Sequence, residues 1–264
     1  MSPSGYSGGL YTIRETKFQE LCLRQGLLRA LLLAVLPETI VDWCRQILHV
    51  WSRQTPRSAK EVFSEVYAKN EWGPDEFDSG PGSHGEPARV FAECVINFIK
   101  LHNVKVVVDL GCGNFAVGAR IAPACERYIG VDVVPDLIER NRTMFGASNV
   151  EFVSLDITKE SLPDGDLCLI RQVMQHLSNS EISRILRKVR KFHHVIVAEH
   201  YPEIERTPNI DIEHGGGTRI YSHSAVYLDK PPFSVSEMSL MAEARMDPPV
   251  IGSLRIFRLS SASV

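Results

Sequence analysis

A short run near position 110 has the composition of a ligand-binding turn. Val106-Val-Val-Asp109-Leu-Gly111-Cys112-Gly113 sets an apolar, β-branched run ahead of an acid and two closely spaced glycines. Glycine lets the backbone turn tightly and approach a ligand without a Cβ in the way. A helix that starts after such a turn presents free N–H groups. The same design holds a pyrophosphate in dinucleotide-binding folds. Asp132 ends a second apolar run, Tyr128-Ile-Gly-Val-Asp132-Val133, 21 positions after Gly111. A carboxylate there can accept both hydroxyl protons of a ribose. A third run, Val150-Glu-Phe-Val-Ser-Leu-Asp156-Ile157, repeats the pattern of apolar strand and then acid. A fourth, Asp166-Leu-Cys-Leu-Ile-Arg171-Gln172-Val-Met-Gln-His176, ends on a cation, an amide and an imidazole. Histidine titrates near neutrality and is the commonest proton acceptor in catalysis.

These residues need strands to end on. The spacing predicts strands over 104–109, 128–133, 150–155, 166–173 and 194–199, and helices over 86–101, 116–124, 135–145 and 180–191. Short apolar runs alternating with helices imply a parallel sheet wound on both faces. In such a sheet, ligands lie at the carboxyl ends of the strands. Two further strands, 238–246 and 253–259, are joined by so short a link that they can only pair antiparallel. Upstream, 58–73 reads as a short helix stopped by Gly73-Pro74, followed by a Gly- and Ser-rich loop at 78–85.

Taken in order, the motifs resemble class I S-adenosylmethionine (SAM)-dependent methyltransferases. The run from Asp109 to Gly113 is similar to their D-x-G-x-G motif, whose loop wraps the methionine part of the cofactor. Asp156 resembles the acid that meets the adenine amino group, with Ile157 against the ring. The segment through Gln172 and His176 is similar to the post-strand-four segment of many small-molecule methyltransferases. VFSEVYAKNEWG…SGPGS upstream and AEHYP…SAVYLDKPPF downstream resemble bacterial methyltransferases of glycan and secondary-metabolite clusters. A Rossmann dehydrogenase is the rival on the glycine loop alone. Ala116 stands where its last glycine belongs, and Asp109 is atypical of it.

The resemblance implies a Rossmann-like, seven-stranded, mostly parallel sheet with an antiparallel C-terminal hairpin and an N-terminal helical cap. It divides the chain into a cap and cofactor-covering loop at 1–85 and a SAM-binding domain at 86–264, with 201–235 as an acceptor-site insertion. The cofactor residues it implies are Trp72, Gly80, Ser83, Asp109, Gly111, Cys112, Gly113, Asp132, Val133, Asp156, Ile157, Arg171 and Gln172. Methyl transfer is an in-line displacement, so the protein must chiefly align the acceptor and exclude water. An acceptor hydroxyl must also lose a proton. His176 is the first candidate base, with Glu199 and His200 second. Arg219 is a candidate for an anionic group on the substrate, and His223 and Tyr227 for the acceptor pocket. The glycines at 215–217 suit a mobile lid. Some relatives of this fold use Mg²⁺, and Glu199, Asp211 and Glu213 could supply oxygen ligands. No spacing compels a metal, and none is assigned.

Composition narrows the acceptor. The chain has 264 residues, a net charge of −3 and no large basic excess, so nucleic acid is not the expected partner. A small molecule or sugar, methylated at oxygen, is the expected one. Protein or peptide methylation, and a non-catalytic scaffold of the same fold, stay open. Six cysteines without a CxxC pair point to a reducing, cytoplasmic compartment. Residues 1–60 carry eight Lys and Arg against four acids. Helical patterns at 16–36 and 40–51 read there as a packed cap or as an amphipathic surface for a membrane or a partner protein. The apolar run at 26–36 is too short to span a bilayer.

Overall fold

The computed structural model describes residues 57–260 except Pro249. The chain divides between Pro56 and Arg57, and the helical patterns read at 16–36 and 40–51, with the docking roles weighed for them, lie outside the described residues.

Helix α1 (Ala59–Ala68) starts on a capping box in which Ser58 accepts from the Glu61 N–H and Glu61 accepts from the Ser58 N–H. Such a cap contributes about 1 kcal/mol. Phe63, Val66 and Tyr67 are buried on one side of α1. The helix stops five residues before the expected end, because Asn70 takes up a left-handed conformation, with φ 52°. Helix α2 (Gly85–His102) buries Ala88, Phe91, Ala92, Val95, Phe98 and Ile99, the stripe its sequence shows.

The sheet follows. Strands β1 (Val106–Leu110), β2 (Arg127–Asp132), β3 (Val150–Ser154), β4 (Leu167–Arg171) and β5 (His194–Tyr201) are parallel. Thr207–Pro208 (β6) and Ser224–Ala225 (β7) form a separate two-stranded ladder inside the 201–235 insertion. Strand β8 (Met238–Arg245) pairs antiparallel with β9 (Ser253–Leu259), which pairs antiparallel with β5. The seven-stranded order is β3-β2-β1-β4-β5-β9-β8. This is the expected sheet.

Alternation along the strands splits the core in two. Val108, Leu110, Ile129, Val131, Ile170 and Val197 face one layer, shared with α1, α4 (Pro135–Phe145) and α5 (Asn179–Val189). Val107, Tyr128, Leu167, Leu169, Ile196 and Ala198 face the other, shared with α2. Because both faces are covered, the strands read as continuous apolar runs. The helix expected at 116–124 is shorter: α3 (Gly118–Ile121) gives way to a 3-10 turn at Ala122–Ala124, where Pro123 lacks the N–H an α-helix needs. Strand β4 ends at Arg171 because Gln172, at φ 55°, turns the chain out of the sheet. Among the described residues no helix is long and apolar enough to cross a membrane.

Candidate active site

The carboxyl ends of β1, β2, β3 and β4 open into a cavity of about 1000 Å³. At its floor the chain leaves β1 through Gly111 (φ 78°) and Gly113 (φ 54°). A Cβ on Gly111 would lie 2.3 Å from Val173 Cγ2, and one on Gly113 would lie 2.5 Å from Ser79 Oγ. Both positions therefore demand glycine twice, by φ and by space.

Asp132 is buried beside this turn. Its carboxylate accepts from the Gly113 N–H at 3.1 Å and the Val134 N–H at 3.2 Å. Burial raises its pKa despite these bonds. Asp156 also lines the cavity and accepts from the Thr158 N–H at 2.9 Å and the Thr158 hydroxyl at 2.6 Å, with Lys159 at 3.1 Å. Burial pushes its pKa up, but Thr158 and Lys159 outweigh burial and hold it below the ordinary value. Val133, Leu155 and Ile157 supply apolar wall next to the two acids.

Arg171, at the end of β4, reaches under the 79–83 loop. Its guanidinium donates to Gly82 O at 2.8 Å and Ser83 Oγ at 3.1 Å. Ser79 Oγ accepts from the Asn114 N–H at 2.8 Å and bonds Tyr67 Oη at 2.9 Å. The glycine turn, α1 and the covering loop are thus one hydrogen-bonded unit. Trp72, Gly80, Ser83, Gly111, Gly113, Asp132, Val133, Asp156, Ile157, Arg171 and Gln172 all line the cavity.

Two residues expected beside the cofactor do not. Asp109 faces the opposite layer, accepts from Tyr128 Oη at 2.8 Å, and is pushed by burial to a pKa of about 6. Cys112 is buried with its Sγ toward its own loop, at Gly113 O. Both support the turn from beneath.

The His176 ring lies 5.0 Å from the Trp72 ring and 6.5 Å from Phe63, centroid to centroid. Its Nδ1 is 3.2 Å from Gly217 O. Only a protonated Nδ1 can donate to a carbonyl, so the lone pair of the neutral ring sits on Nε2, near the Gln175 amide at 3.3 Å. Burial lowers the pKa of His176 to about 4. Trp72 Nε1 donates to Gly216 O at 2.8 Å. The 215–217 glycines are therefore tied to both rings.

Glu199 lies under this turn and outside the cavity. One oxygen accepts from the Met174 N–H at 3.0 Å, the other is buried without a partner, and burial lifts the pKa to about 8. His200 does line the cavity, with Nε2 held at 2.8 Å from Ile251 O.

The expected substrate residues lie elsewhere. Arg219 is fully buried, and its two terminal nitrogens donate to Ile210 O and Leu177 O, each at 2.6 Å. It fastens the insertion to the domain and cannot meet a substrate anion. His223 is exposed and caps a 3-10 turn at φ 54°. Tyr227 is buried, edge-on to Tyr201, with its hydroxyl accepting from the Arg206 N–H at 3.2 Å. The far end of the cavity is lined instead by Glu203, Ile204, Arg206, Ile220, Met246 and Ile251. Sequence reasoning missed these, and missed Phe63 and Tyr67, whose four-residue spacing reads only as a core stripe. Among the described residues no group of His, Cys, Asp or Glu could hold a metal ion, Glu199, Asp211 and Glu213 included.

Comparison with known proteins agrees with this geometry. A family model described as a methyltransferase domain matches residues 107–194, which carry all four strand-end motifs. Nodulation protein S of Bradyrhizobium diazoefficiens is 36% identical over 72 residues, 26% of this chain and 34% of that protein. A protein of Chlamydia trachomatis named as an uncharacterized RNA methyltransferase is 25% identical over 178 residues, 62% of this chain and 45% of that one. The chain thus spans less than half the length of these curated relatives. Among solved structures, the N-methyltransferase NodS of Bradyrhizobium japonicum in complex with S-adenosyl-L-homocysteine (SAH) superposes with a TM-score of 0.53 at 15% identity. That match covers 74% of this chain and 97% of NodS, and it establishes the shared fold.

The residues present fit SAM. A turn with no room for a Cβ, a buried acid whose oxygens keep lone pairs beyond two backbone bonds, and an apolar slot beside a second acid suit a nucleoside. Arg171, at the β4 edge, suits the carboxylate of an amino acid.

Proposed function

We propose that this chain, which carries a class I SAM-dependent methyltransferase domain, moves a methyl group to a small-molecule acceptor held in the second half of the same cavity. The observation that carries the reading is the continuity of that cavity. One end is built from the motif residues of β1–β3, the other from the insertion and the β8–β9 turn. Its volume of about 1000 Å³ stands at the top of the range of roughly 300–1000 Å³ for single small-molecule sites, and leaves room for an acceptor beside the cofactor.

SAM, when bound, supplies a methyl group already activated on a sulfonium. Gly111 and Gly113 would admit its methionine part, Asp132 its ribose, Asp156 and Ile157 its adenine, and Arg171 its carboxylate. Trp72 and the 215–217 loop wall the site from water, which favours the aligned displacement. His176 keeps Nδ1–H on Gly217, and its Nε2 lone pair, which accepts from the Gln175 amide at 3.3 Å, would take the acceptor's proton once the substrate displaces that amide. Glu199 positions the His176 turn through the Met174 N–H.

An imidazole of pKa about 4 is neutral at physiological pH but a weak base. Brønsted behaviour makes it a poor match for an aliphatic alcohol. An acidic hydroxyl suits it better, which keeps oxygen as the acceptor atom. A nitrogen acceptor is the second reading. A neutral amine attacks with its lone pair free and sheds its proton after transfer, and the structural relative NodS is an N-methyltransferase.

The test is a screen of phenols, hydroxy acids, sugars and amines with methyl-labelled SAM, read by mass spectrometry. Label on a small molecule, lost in His176→Ala while SAH affinity is kept, is the expected result. Bound SAH with no label on any small molecule, or label only on added peptides, would overturn the reading.

A further inference from the structure

The far end of the cavity carries a cation with nothing to neutralise it. Arg206 lines this end, and its Nε is buried without a hydrogen-bond partner. No carboxylate among the described residues is in ion-pair range of it. Glu203, the nearest acid along the chain in the lining, is paired with Arg245 at 3.3 Å. His200 is held on Ile251 O, and burial lowers its pKa. Arg171, the other arginine of the cavity, lies at the β4 end under the 79–83 loop, in the cofactor half.

The position of Arg206 is fixed. Its N–H donates to buried Tyr227 Oη at 3.2 Å, and the next residue, Thr207, pairs with Ser224 in the β6–β7 ladder. Around it the lining is apolar: Ile204 and Ile251 stand at the rim, 73% and 68% exposed, with Ile220 and Met246 further in. A partly buried polar group without a partner is costly, and a guanidinium fork matches the two oxygens of a carboxylate or phosphate.

We propose that Arg206 is the specificity determinant of the acceptor subsite, and that the acceptor joins an oxyanion, carboxylate or phosphate ester, to an apolar body. The anion meets the guanidinium and the apolar body covers the isoleucine rim. Arg206 thereby takes the role the sequence suggests for Arg219. This inference rests on the methyltransferase reading, since it assigns the acceptor half of that site.

The test is calorimetry on the full chain saturated with SAH, with 2-naphthoate, 2-naphthyl phosphate and neutral 2-naphthamide as probes. At least one anion should bind about tenfold or more tightly than the amide, the scale of one hydrogen bond to a charged group. Arg206→Gln should abolish that preference, with SAH affinity and melting temperature unchanged, and Arg206→Lys should keep part of it. The preferred anion tells carboxylate from phosphate. Equal binding of all three probes, absence of binding by both anions, or a preference that survives Arg206→Gln would overturn the proposal. Loss of SAH binding by the wild-type chain would instead remove the reading beneath it.

Discussion

The two ends of the cavity are built by different rules. The end over β1–β3 is assembled from residues that close one strand and begin the next turn, so each contributor sits at a fixed register of a parallel sheet. The end over β5, β9 and β8 draws on the 201–235 insertion and the β8–β9 turn, which are separate in the chain and meet only in the folded molecule. The first end is fixed by backbone geometry, the second by side-chain anchors such as Arg219, Trp72, and buried Asn209, whose amide donates to Tyr227 O at 2.8 Å and Pro231 O at 2.9 Å. A conserved reaction needs the first kind of construction, and a variable acceptor can use the second.

If side-chain anchors hold the acceptor end, breaking one should cost stability there and spare the cofactor end. The largest effect is expected from Arg219→Ala. It strips the Leu177 and Ile210 carbonyls of their shared donor and leaves a void at a fully buried site. Loss of about 3 kcal/mol or more in denaturant unfolding is expected. An unchanged midpoint with a raised KM would mean that Arg219 contacts substrate after all.

Glu199 sharpens the comparison through pH. Its pKa is raised by burial to about 8 in the folded chain, against about 4.3 in an unfolded one. The folded state therefore holds a proton that the unfolded state has lost between those values. The stability that this contributes is full below about pH 4 and is lost as pH rises through about 8. Glu199→Gln, which keeps an acceptor for the Met174 N–H, should flatten that decline in melting temperature between pH 5 and 8. Parallel profiles for the two proteins would contradict the burial of this carboxyl.

A smaller effect is expected at the lid. Trp72→Phe keeps an aromatic ring against His176 and removes the bond to Gly216 O, a loss of about 1 kcal/mol. It should raise KM for the acceptor several-fold and leave SAH affinity unchanged. An equal loss of both would join the two ends into one unit.

The same contrast explains what the sequence could tell. The parallel strands, the antiparallel C-terminal hairpin and the turn at Gly111 and Gly113 were legible because strand, acid and glycine are contiguous and the period of the apolar residues is short. Asp109 was misplaced by one detail of alternation: it points into the α2 layer, to Tyr128, and away from the ligand. Glu199 is likewise turned under the site. Arg219 and Arg206 are indistinguishable as letters, and only the fold shows that the first is consumed by carbonyls and the second is left unpaired. Gln172 leaving β4 at φ 55°, and the β6–β7 ladder, have no local signal of comparable strength.

The central claim is that the β1–β3 end holds the nucleoside through Asp132. Calorimetric titration of the full chain with SAH, beside Asp132→Ala, tests it most directly. The account predicts one site per chain and an affinity weakened about 100-fold in the variant, as expected for removing a buried carboxylate that also braces the Gly113 and Val134 N–H groups. Equal affinity in the two proteins, or no binding by the wild-type chain, would contradict it.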